Sequence, residues 1–169
     1  MSLPVRAACR PVDASFFESA PWRFRASAEL AIAAASAFAI FEDAASWPKW
    51  FSSIRDVAWT TRPPFGVGTT RTVRLSSAIV YEHFFRWEQG TRFSFYLVAH
   101  EAPLPLFRAL AEDYVLEPLD EASCRFTYSV AIEPALAMRL TAPLSRRVLA
   151  RMFEAGPAAF ARFAGRGSR

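Results

Sequence analysis

From residue 54 to residue 134 the chain keeps a two-residue rhythm with very little connecting sequence, and this stretch constrains the fold more than any other. Six segments carry it: IRDVAWT (54–60), TTRTVRL (69–75), AIVYEHFFRWE (78–88), TRFSFYLVAHE (91–101), AEDYVLEPL (111–119) and CRFTYSVAIEP (124–134). Alternation of apolar and polar side chains places one set on each face of a strand. Between the segments stand RPPFGVG, SSA, QG and LDEA, all turn chemistry or short polar residues. Connections this short leave antiparallel neighbours, because a parallel pair needs a crossover of a dozen residues or more. The centre of the molecule is therefore expected to be one antiparallel sheet.

Upstream, Trp22, Phe24 and Ala26 alternate with Arg23, Arg25 and Ser27, which predicts a further strand. ASAFAIFED follows with helix formers and no glycine or proline. In SWPKWF, Pro48 suits the first turn of a second short helix, with Ser46 as its cap. Residues 1–20 contain Pro4, Pro11 and Pro21 close by and little periodicity, so a loosely docked arm is expected there. Residues 136–164 return to helical spacing, with Leu136, Leu140, Leu144, Val148, Met152, Phe153, Phe160 and Phe163 on one expected core face, and most of the arginines off it. Pro143 and Pro157 should kink or break that helix, above all at Gly156-Pro157. The expected organisation is an arm (1–20), one domain (21–165) and a short tail (166–169).

A chain of 169 residues with 53% hydrophobic residues, sixteen phenylalanines and six glycines has too much apolar material for disorder and suits a single packed domain. The net charge of +4 is carried almost wholly by arginine, Lys49 being the sole lysine. The arginines form no run interleaved with aromatics, so nucleic acid is not an expected partner. Glu29 and Glu42 bound the apolar stretch AELAIAAASAFAIF below the ~20 residues of a spanning helix. MSLPVRAACRPVD lacks a signal peptide's apolar core, so a cytoplasmic location is expected and membrane contact is not indicated. Cys9 and Cys124 are remote from each other and only His83 and His100 accompany them, which points to reduced thiols and away from a metal site. PFGVGTTR lacks the lysine and helix of a phosphate loop, no nucleophile elbow occurs, and no cofactor is expected. No sequence pattern sets the oligomeric state.

The segments FEDAASWPKWFSSIRDVAWT, GVGTTRTVRL, YEHFFRWEQGTRFSFYLV, EDYVLEP and CRFTYSVAIEP, followed by the terminal helix, resemble the START-like (SRPBCC) superfamily and, within it, the polyketide cyclase/dehydrase family. The resemblance covers roughly residues 20 to 164. It implies an α+β helix-grip fold: a curved antiparallel sheet of about seven strands wrapped around a long C-terminal helix, with two short helices after the first strand. It also implies a deep apolar cavity for a lipid, a polyketide or another small hydrophobic molecule. Relatives of this kind include aromatase/cyclases as well as carriers and regulators, so cyclase or dehydrase activity is the alternative to simple binding. A third reading is docking of a protein or membrane through an aromatic rim. That rim would be Trp47, Trp50, Phe51 and Phe65, at the cavity entrance.

Strand alternation then nominates the wall. In 78–88, Tyr81, His83, Phe85 and Trp87 share the less charged face and are expected inward, opposite Glu82, Phe84, Arg86 and Glu88. A three-residue SSA loop would pair Leu75 with Ile79, Val73 with Tyr81 and Arg71 with His83. Arginine beside a half-buried histidine would lower the imidazole's pKa and leave it usable as a base, while the arginine steers a carboxylate or enolate. A register shifted by one residue turns Glu82 and Arg86 inward instead, and aromatase/cyclase relatives carry a functional arginine near the position of Arg86. Tyr114 and Tyr128 are expected inward phenols. Phe95, Met152 and Phe153 complete the expected ligand wall. Glu112 and Asp113 are adjacent, point to opposite faces and cannot form an acid/base dyad.

Overall fold

A computed structural model describes residues 4–166; the tail expected at 166–169 lies outside the described residues except for Arg166. The elements in chain order are β1 (Val5–Ala8), α1 (Phe16–Ser19), β2 (Trp22–Leu30), α2 (Ala34–Glu42), α3 (Trp47–Trp50), β3 (Ile54–Trp59), β4 (Thr70–Leu75), β5 (Ile79–Glu88), β6 (Arg92–Ala102), β7 (Phe107–Pro118), β8 (Cys124–Pro134), α4 (Leu136–Leu140), α5 (Ala142–Glu154) and α6 (Gly156–Ala164). The strands form one antiparallel sheet ordered β2-β8-β7-β6-β5-β4-β3, with β1 added to β6. This is the helix-grip architecture.

β7 begins four residues before the alternation suggests, and the cause is burial on both faces. Past the exposed Arg108, Ala109, Leu110 and Ala111 are all buried, so no polar residue marks an outer side there. The cover is the N-terminal arm, which is not loose. β1 pairs Val5–Ala8 with Ala99–Ala102 of β6, and Phe16 and Ala20 pack on Ala109, Ala111 and Ala131 on the outer face of the sheet. A buried contact pins it: Cys9 Sγ lies 3.4 Å from Nδ1 of His100, whose Nε2 accepts the Leu106 N–H at 2.9 Å. That acceptor role places the imidazole proton on Nδ1, facing sulfur. Burial raises the Cys9 thiol to about 11 and lowers His100, so the pair is a neutral clasp and not a nucleophile with its base.

The inner face is packed with rings. Phe41 of α2 stacks on Phe160 of α6 at 4.4 Å and meets Trp47, Trp50, Phe93, Tyr114 and Phe126 within 6.0 Å. The helical elbow WPKW forms as expected, with Pro48 in its first turn. Ser46 does not cap it, however, because its hydroxyl donates to Asp43, whose other carboxylate oxygen accepts the Ala45 N–H.

The C-terminal helix runs in three pieces, each proline starting a new one: Pro143 opens α5 and Pro157 opens α6. The expected core stripe is only half realised. Phe153 and Phe160 are buried and Met152 is half-buried, but Leu136, Leu140, Leu144 and Val148 are exposed. The break at Thr141 divides these four between α4 and α5, and on both pieces the side that carries them is turned to solvent. Leu149 takes the inward position in their place.

Candidate functional site

The site begins at the β4–β5 turn. Leu75 N–H donates to the Ala78 carbonyl at 2.7 Å, leaving a two-residue Ser76-Ser77 loop in place of the expected three. The pairing therefore shifts by one: Val73 faces Val80, Arg71 faces Glu82 and Thr70 faces His83. Arg71 points inward as expected, and its cross-strand partner Glu82 does too.

Both groups are buried, at 2% and 5% exposure, and Arg71 Nε donates to Glu82 Oε2. The guanidinium lies in an aromatic cage, 4.2 Å from the Trp47 ring centre, 5.0 Å from Phe95, 5.2 Å from Trp59 and 5.3 Å from Phe84. Cation–π attraction is strongest when the ion is stripped of water, which offsets part of its desolvation. Among the described residues Arg71 Nη1 finds no hydrogen-bond partner. A buried donor without a partner costs about 1–3 kcal/mol, more when charged.

Beside this ion pair, Glu112 of β7 receives two phenols on one oxygen: Tyr114 and Tyr128 donate to Oε2 at 2.9 and 2.8 Å. Burial raises the Glu112 carboxyl to about 7, the nearby Glu82 adding to the rise and the two phenols and Arg71 opposing it. Burial, together with the Glu112 charge, pushes both phenols well above their ordinary range. For Glu82 burial pushes upward and Arg71 pulls back. The result is one strong cation, one carboxyl poised near neutrality and two proton-holding phenols on a single wall. A carboxyl in that state can take or give a proton at pH 7.

These groups line an interior cavity of about 80 Å³, closed on its apolar side by Val73, Val80, Leu97, Leu110, Phe51 and Phe153. This is far smaller than the deep cavity the resemblance implies, and holds a few waters only. A second cleft of about 330 Å³ lies immediately outside, between Trp50, Phe51 and Ser52 on one side and Arg151, Met152 and Gly156 on the other. Phe51 and Met152 belong to both spaces and form the partition between them. Gly156 lets α6 approach closely, since a Cβ there would sit 3.3 Å from the Tyr128 ring.

The structure thus gathers Arg71, Trp47, Phe51, Tyr114, Met152 and Phe153 around the cavity, with Tyr128 bonded to its wall and Phe95 behind the guanidinium. Trp50 is 6% exposed and borders the outer cleft. Phe65 stacks on Trp59 at 4.3 Å, away from both spaces.

The remaining expectations turn on β5. Its true register turns Tyr81, His83 and Phe85 to the outer face, where Tyr81 donates to Glu101 at 2.7 Å, His83 packs on Tyr96, and Phe85 packs on Phe17 and Tyr96. No Arg71–His83 pair exists. A bulge between Phe84 and Arg86 then reverses the alternation, so Trp87 faces inward against Phe38 and Phe93, as expected but for another reason. Arg86 ends in a polar groove on the outer face with Arg25, Arg92 and Asp113 and cannot reach the interior.

Glu112 is the residue the sequence reading missed. It shares parity with Tyr114 and Leu116, already assigned inward, and that signal was sufficient to find it.

Comparison with known proteins agrees with this architecture. The pattern of the family described as polyketide cyclase / dehydrase and lipid transport matches residues 21–164. Uncharacterized proteins of Mycobacterium bovis and Mycobacterium tuberculosis are 39% identical over 124 residues, covering 73% of this chain and 72% of theirs. Among solved structures, the Zhui aromatase/cyclase of a Streptomyces species superposes with a TM-score of 0.71 at 11% identity, over 88% of this chain and 96% of that one. A START superfamily protein of Mycobacterium smegmatis gives 0.58 at 16% identity, over 78% and 94%. At such identities the structural likeness establishes the fold alone.

Proposed function

The chain belongs to the polyketide cyclase / dehydrase and lipid transport family, and on that premise we propose that it binds a small hydrophobic molecule bearing a carbonyl or acidic oxygen, held by Arg71 in the interior cavity. The observation that carries this reading is the unpartnered, buried Nη1 of Arg71 at the wall of a space whose far side is apolar. A ligand oxygen would satisfy that donor with a charge-assisted hydrogen bond. Size is supplied by the partition: rotation of Met152 and Phe51 joins the interior to the outer cleft, and the combined space falls in the roughly 300–1,000 Å³ range of small-molecule pockets. Methionine is suited to that movement because its side chain is unbranched and flexible.

The test is titration with 1-hydroxy-2-naphthoate, a bicyclic ring with an acidic oxygen pair, followed by tryptophan fluorescence. Trp47 stacks on Arg71 and should report occupancy. Saturable quenching is expected for the wild type and none for the double variant Arg71→Met/Glu82→Leu. Quenching of equal affinity in both would remove Arg71 from the site.

A second reading, cyclase or dehydrase chemistry, is favoured by the carboxyl of Glu112 at about 7. In it, the Glu112 carboxylate takes a proton from the carbon next to a carbonyl while Arg71 holds the resulting enolate oxygen, and the proton returns to carbon or leaves with the product. Deuterium incorporation at that carbon of a bound aryl β-diketone in D₂O, lost in Glu112→Gln with binding retained, is the expected result. Incorporation at the solution rate in the wild type would rule this reading out.

A further inference from the structure

The aromatic rim does not offer a docking surface, because Trp47 and Trp50 are buried. The exposed apolar surface lies elsewhere. Leu136, Leu140, Leu144 and Val148 are 69, 77, 67 and 56% exposed, in a row along α4 and the first half of α5. Single exposed leucines need no explanation, but a run of four along two consecutive helices marks a contact surface. Leu104, 58% exposed, stands in the β6–β7 loop, which is tied to the beginning of α4 by the Ala135 N–H to Leu106 carbonyl bond at 2.9 Å.

Charge indicates what this row meets. From Ala135 to Phe153 the chain carries Arg139, Arg146, Arg147 and Arg151 and no aspartate or glutamate. All four arginines are exposed. A second copy of the chain laid on the same face would set four arginines against four, and of the two flanking acids Glu133 is already paired with Arg10 and Arg108, which leaves Glu154 against all of them. An anionic lipid surface answers both features: headgroup phosphates take the guanidinium groups and the acyl boundary takes the leucines. We therefore propose that α4 and the first half of α5 dock this protein on anionic membranes, lying in the interface without crossing it. Among the described residues no helix is long and apolar enough to cross. The inference does not require the interior to hold a ligand.

Its test is co-sedimentation with vesicles of phosphatidylcholine alone and of three parts phosphatidylcholine to one part phosphatidylglycerol. Binding to the mixed vesicles is expected, weak on the neutral ones and reversed by high salt. Leu140→Ser/Leu144→Ser should lower partitioning by about tenfold or more, and Arg139→Gln/Arg147→Gln by a similar factor at low salt. Both pairs are surface changes, and unchanged circular dichroism and monomer mass confirm the fold. Arg71→Met/Glu82→Leu should leave vesicle binding intact, so loss of interior binding and loss of docking are read separately. No binding to mixed vesicles at low salt, equal partitioning of the leucine variant, or a wild-type dimer that the leucine variant abolishes would overturn the proposal.

Discussion

The Tyr128 hydroxyl donates to Oε2 of Glu112 across 2.8 Å, tying β8 to β7 at the oxygen that also accepts Tyr114. Two donors on one oxygen leave the other free to carry a proton, and the buried setting favours that protonated form.

This arrangement has a definite pH signature. The folded Glu112 carboxyl titrates near 7 against 4.5 as its ordinary value, so between these pH values the folded chain holds more protons than the unfolded one. Stability from this group is complete below about pH 4.5 and is lost as pH rises through 7. The full shift corresponds to roughly 3 kcal/mol, and because Glu112 retains some accessible surface at the cavity about 2 kcal/mol is a better expectation. Urea unfolding of the wild type at pH 5 and pH 8 should show this excess decline relative to Glu112→Gln.

The Arg71–Glu82 pair should behave asymmetrically under mutation. Arg71→Met strands a buried carboxylate and Glu82→Leu strands a guanidinium, each expected to cost about 3–5 kcal/mol. Arg71→Met/Glu82→Leu removes both charges from an apolar cage and should fall within about 1 kcal/mol of the wild type. Denaturant midpoints for the three variants decide it; additive losses in the double variant would mean that the two residues are not coupled.

Gly156→Ala should destabilise despite the better helix propensity of alanine, by about 1 kcal/mol. The new Cβ would stand 3.3 Å from the Tyr128 ring, which is held by its bond to Glu112 and hemmed by Tyr114 and Phe153. Thermal melts of Gly156→Ala alone and with Tyr128→Leu test this, the second change being expected to relieve the strain of the first.

Neither cysteine should react in the folded state. Both are buried, and burial raises both thiols, Cys9 to about 11. Iodoacetamide labelling at pH 8 should require unfolding, with Cys9 labelled together with release of the arm. Rapid native-state labelling of Cys9 would show that the Cys9–His100 clasp opens freely.

Much of this architecture is legible in the residues, and each failure has its own physical cause. Strand alternation located β3 to β8 because one face of most strands is wet; it lost the start of β7 where the arm dries the other face at Ala109 and Ala111. Alternation also fixes a face only up to the register, and the register was decided by a single residue in the Ser76-Ser77 turn. That residue moved His83 out of the site and brought Glu82 in. The Phe84–Arg86 bulge reversed the pattern again within the same strand, and no local residue announces it. In the last helix the four-residue leucine spacing resembles a core stripe, yet the helix breaks between Leu140 and Leu144, both stand in solvent, and Leu149 packs inward instead. The inward place of Glu112, by contrast, was open to the same parity argument that placed Tyr114.

Native mass spectrometry of the wild-type protein and of Arg71→Met/Glu82→Leu, both purified from the natural host, measures interior binding most directly. A small hydrophobic adduct is predicted on the wild type, removed by organic extraction and absent from the double variant. An adduct of equal occupancy on both proteins, or a bare wild-type chain at every charge state, would contradict it.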